Sequence, residues 1–94
     1  MSEVSFKSLF DELREHARCL QSQLGDRAPA DRLLAVAERG RTAAQAGDAG
    51  EMLAAARVSR LVLDEIAADE RAGLVGDTLK ACDTALDKID RGLT

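Results

Sequence analysis

The stretch "AGDAGEMLAAARVSRLVLDEIA", residues 46–67, decides the fold. Gly47 is placed to close one helix and Asp48 to cap the next. Glu51 follows three residues later, as in a capping box with Asp in place of Ser or Thr. Beyond the cap, Met52, Ala55, Ala56, Val58, Leu61, Val62, Leu63, Ile66 and Ala67 recur at helical spacing and cover more than half of a helix circumference. A connection as short as Gly47–Asp48 joins antiparallel neighbours. The polar strip that remains holds Arg57, Arg60 and Asp64, with Arg60 and Asp64 at the i, i+4 spacing of an ion pair.

Working outward, the pattern predicts an all-α fold, a compact antiparallel four-helix bundle with helices over about 5–23, 30–46, 49–71 and 77–91. In the first, Phe6, Leu9, Phe10, Leu13, Ala17, Leu20 and Leu24 form an amphipathic stripe, and Gly25 is a natural terminator. Pro29 fits the first turn of the second helix. The inward face there is Leu33, Leu34, Ala37, Gly40, Ala44 and Gly47, small enough for a neighbouring helix to approach closely. After "RAGLVGD" (71–77), Asp77 is placed to cap the fourth helix. Its apolar seam, Val75, Leu79, Cys82, Leu86, Ile89 and Leu93, is spaced 4, 3, 4, 3, 4. Residues 1–94 read as a single helical domain, without repeats or low-complexity tracts.

Composition narrows the function classes. The chain has 94 residues, no Trp or Tyr and two Phe, which argues against stacking sites for bases or sugars and against a barrel or sandwich. Net charge is −4 with acids and bases interspersed, so no basic face for nucleic acid is expected. No apolar run reaches the roughly 20 residues of a bilayer span, and "MSEVSFKSLFDEL" does not read as a signal peptide. Two separated cysteines suit reduced thiols in a cytoplasmic protein.

The rare residue types meet in "DELREHARC" (11–19), with the single histidine, His16, three residues before Cys19. His16 falls about 70° from the centre of the apolar stripe at 100° per residue, on its flank. Glu12 and Glu15 are near it, but a structural zinc site wants four ligands and a diiron bundle wants two histidines. No metal or cofactor is therefore expected. Cys82 belongs to the apolar seam and reads as a small core residue. No catalytic residue is expected.

Three resemblances bear on class. An exposed helical histidine in a four-helix bundle resembles histidine phosphotransfer domains, which implies His16 as an alternative phosphoacceptor. Those domains typically carry Lys and Gly at +3 and +4, where this chain has Cys19 and Leu20. The segment "LLAVAERGRTAAQAGDAGEMLAAARVSRLVLDEI" (33–66) resembles the central hairpin of flagellar export chaperones, whose "A-x-x-G-D" turn joins two long helices. "TLKACDTALDKID" (78–90) is similar to their later helix. The bulky aromatic often found after that turn is replaced here by Ala49 or Gly50. A tetratricopeptide-like hairpin is similar to the same letters, but one unit forms no solenoid.

The function expected is a small non-catalytic interaction module, adaptor-like or chaperone-like. It would hold a partner helix, or a second copy in a homodimer, through apolar helix surfaces, with no nucleic-acid or membrane partner. The residues singled out are Val58, Leu61, Val62, Leu79, Leu86 and Ile89, because the third and fourth helices carry more apolar surface than one packing face needs.

Overall fold

The computed structural model describes residues 5–25 and 28–93. Four α-helices follow one another: α1 (Phe6–Leu24), α2 (Ala28–Ala46), α3 (Ala49–Ala67) and α4 (Gly76–Leu93), with a 3-10 helix, Glu70–Val75, between the last two. Each helix packs on its neighbours in sequence, and α1 closes the ring against α4.

Side-chain pairs give the directions. Asp11–Arg41 (2.6 Å) and Arg14–Glu38 (3.4 Å) join α1 to α2, so a step forward along one helix is a step back along the other. Arg32–Glu65 and Arg39–Glu51 do the same for α2 and α3. Gln23 accepts a hydrogen bond from Thr78 at one end of α1 and α4, while Phe6 meets Gly92 at the other. The bundle is therefore antiparallel throughout.

The helix ends follow local chemistry. Ser5 caps α1 by accepting from the Ser8 amide (3.1 Å), and Gly25 closes it in the left-handed region at φ 64. At the α2–α3 turn Gly47 has φ 71, its amide donates to Ala44 O and the Asp48 amide to Ala43 O. This is the paired arrangement that lets a glycine end a helix. The Asp48 carboxylate accepts from the Glu51 amide at 3.1 Å. The capping box is only half formed. The Asp48 amide is already taken by Ala43, and the Glu51 carboxylate turns instead to Arg39, 3.7 Å away.

Three expected boundaries move. α2 begins at Ala28, placing Pro29 within its first turn; residues 26 and 27 of the preceding loop lie outside the described residues. α3 stops at Ala67 rather than Arg71. After the buried Ile66, residues 67–73 include no large apolar side chain to extend the packed face, and helices this short depend on such packing. The chain tightens into the 3-10 helix, which delivers Val75 to the core. Asp77 lies inside the first turn of α4 rather than before it, because α4 continues directly from the 3-10 helix.

The core is the α1 stripe from Leu9 to Leu24 met by Leu33 and Ala37 of α2, Met52, Val62, Leu63 and Ile66 of α3, and Cys82, Leu86 and Ile89 of α4. The face of α2 continues through Ala43, with Ala44 half-buried and Gly47 exposed. Gly40 matters most. A Cβ there would overlap the ring of Phe10, so the glycine is the seat for one of the two aromatic side chains. Gly92 does the same for Phe6, where an added Cβ would come within 2.7 Å of the ring.

Candidate interaction surface

The six residues singled out for their apolar excess divide sharply. Val62, Leu86 and Ile89 are buried in the core, and Leu79 is half-buried beside it. Val58 and Leu61 are 43% and 66% exposed. One other large apolar side chain is exposed among the described residues, Leu74 in the 3-10 helix. Both such side chains on the α-helices thus stand one turn apart on α3. Singly scattered exposed apolar side chains are ordinary; here two lie together on one helix face.

The neighbours of Val58 shape that surface. A small cleft of about 50 Å³ between α2 and α3 is lined by Val36, Ala54, Ala55 and Val58, with Arg39 and Glu51 completing it. The Arg39–Glu51 pair stands toward one end of this face and the Arg32–Glu65 pair toward the other. The floor is apolar and its ends are ionic. On exposed ground such pairs contribute about 0–1 kcal/mol to stability, so their main effect here is on the character of the rim.

The opposite flank of α3 leans on α4. Arg60 reaches across to Asp83, Asp87 (3.0 Å) and Asp90 (3.3 Å) rather than along its own helix to Asp64. The acids recur at 83, 87 and 90, one face of α4, and one planar guanidinium serves them all. Partial burial by itself would lower the Arg60 pKa. Hydrogen bonds to Asp90 and Asp87, with the charges of Asp83 and Asp87, outweigh it and hold the group above its ordinary value. This cluster ties α3 to α4.

His16 is half-buried and lines a broad open groove between α1 and α4 with Asp11, Glu12, Glu15, Thr84 and Ala85. The groove lining includes three carboxylates, of which Asp11 pairs with Arg41 and Glu15 with Arg18. Among the described residues, no three His, Cys, Asp or Glu side chains are grouped to hold a metal ion. Cys19 is exposed and Cys82 is buried, and both are free thiols. Burial first, then the charges of Asp83 and Cys19, push the Cys82 thiol up to about 12, so it stays protonated and unreactive. Among the described residues no helix is long and apolar enough to cross a membrane.

Sequence reasoning missed the α3–α4 arginine cluster and the two ion pairs of the α2–α3 face. Their signal, charges recurring at 32 and 39 against 51 and 65, becomes visible once the antiparallel register is known. No protein-family model matches this chain, and neither a curated protein nor a solved structure is significantly similar to it.

Proposed function

We propose that this protein is a small, non-catalytic helical interaction module, adaptor-like or chaperone-like, that docks a helical partner on the outward face of α3. The observation that carries this reading is the pairing of Val58 and Leu61, exposed one turn apart beside the Val36–Ala54 cleft. Helix-in-groove recognition uses anchors at this spacing on an apolar floor. The two free thiols suit a reducing compartment such as the cytoplasm.

The test places a photo-reactive phenylalanine analogue at Leu61 in the producing cell, with the same analogue at the exposed Lys7 of α1 as a control. The expected result is a discrete covalent adduct from position 61 that is absent from position 7. Equal labelling from both positions, or none from position 61, overturns the reading.

A further inference from the structure

The outward face of α3 has a symmetry of its own. Ala54, Leu61 and Ala68 stand seven residues apart, and all three are exposed. Val58 adds the intermediate heptad position. At 100° per residue, Arg57 and Asp64 lie on one flank of this seam, about 40° and 60° from Leu61. Val58 and Glu65 lie on the other flank, toward α2, where Glu65 is engaged by Arg32. Arg57 and Asp64 are exposed, opposite in charge and without an ion-pair partner among the described residues. They sit four residues before and three residues after Leu61.

We infer that the occupant of this face is a second copy of the same chain, with α3 packed antiparallel on α3 about a two-fold axis beside Leu61. A two-fold axis lying in the interface reverses the chain direction but keeps each flank on its own side. Arg57 of one copy therefore meets Asp64 of the other, and the pair forms twice. Leu61 packs on Leu61, and Ala54 comes opposite Ala68, small side chains that let the helices approach. A parallel arrangement would exchange the flanks, setting Arg57 against Val58 and Asp64 against Glu65 of the other copy, two carboxylates together. The antiparallel geometry is the one in which the unpaired charges of this face satisfy each other. The inference rests on reading this strip as a docking surface, and it names what docks there.

Sedimentation equilibrium of the purified protein tests it, using wild type, Arg57→Asp, Asp64→Arg and the double swap R57D/D64R. Far-UV circular dichroism checks that all four are equally helical. Wild type should approach twice its 10.0 kDa chain mass as concentration rises. Each single reversal acts on two symmetry-related pairs and should weaken association by about tenfold or more. The double swap should restore it. A wild type that stays monomeric at every concentration, or a double swap no better than the single reversals, overturns the inference. The photo-adduct at Leu61 separates the two failures. A monomer with a heterologous adduct removes the second copy and leaves the docking surface standing, whereas a monomer with no adduct removes both.

Discussion

Helices α3 and α4 begin from similar material and end in different roles. The seam of α4 is spent on the fold: Cys82, Leu86 and Ile89 are buried, and Leu79 and Leu93 pack at its margin. α3 buries Met52, Val62, Leu63 and Ile66 as fully, yet keeps Val58 and Leu61 outside. The difference lies in the width of the apolar arc. α4 is apolar over one stripe and carries charges of both signs over the rest, so one packing face consumes its apolar side chains. The arc of α3 is wider than its contacts with α2 and α4 can cover. What remains is surface, and its position is set by the neighbours rather than by the hydrophobicity of the helix.

The largest effect that separates the two helices is expected from truncating leucines. Leu86→Ala empties a fully enclosed site and should cost about 2–5 kcal/mol, lowering Tm by roughly 10 °C or more. Leu61→Ala should stay within about 0.5 kcal/mol of wild type at a concentration where the chain is monomeric. Similar thermal melts for the two variants would break the comparison.

Glycines sharpen it on a smaller scale. Gly40→Ala sets a methyl group into the Phe10 ring, and overpacking of that kind costs about 1–3 kcal/mol. Gly50→Ala meets only Asp48 Oδ1 at 3.6 Å, an ordinary contact. It should gain up to about 1 kcal/mol from helix propensity. Denaturant midpoints of opposite sign relative to wild type are the expected reading.

The cysteines give an effect that is absent near neutral pH and appears only as a pH dependence. The folded thiol of Cys82 is pushed up to about 12, while in the unfolded chain it ionises near its ordinary value of about 8.5. Above that value the unfolded state loses a proton that the folded state keeps. Stability therefore falls as pH rises from roughly 9 and levels above about 12. Cys82→Ala should remove this component of the slope, and Cys19→Ala should leave it. In the native protein, a thiol reagent should label Cys19 and spare Cys82 until denaturant is added.

Much of this was readable from the sequence for a physical reason. Periodicity reports the angle of each side chain about its own helix axis, so the α1 stripe and the Gly47–Asp48 turn came through directly. Periodicity does not report how far a neighbouring helix extends around that axis. Leu61 and Leu86 therefore looked alike, one exposed and one enclosed. Arg60 was read against Asp64 because local spacing was the only distance the sequence displayed, whereas its partners on α4 are 23 to 30 residues away. The end of α3 escaped for a related reason. "AADERAG" (67–73) has helix-forming residues but no large apolar residue to continue the packed face past Ile66.

The central claim is that the outward face of α3, and no other face, is where two copies of the chain associate. Amide NMR spectra of the labelled protein, recorded from micromolar to millimolar concentration, test it most directly. The account predicts concentration-dependent shifts confined to residues 54–67 of α3, the capping Ala68 and the adjoining turns of α2 between 32 and 39. Spectra that do not change, or shifts centred on the α1–α4 groove around His16, would contradict it.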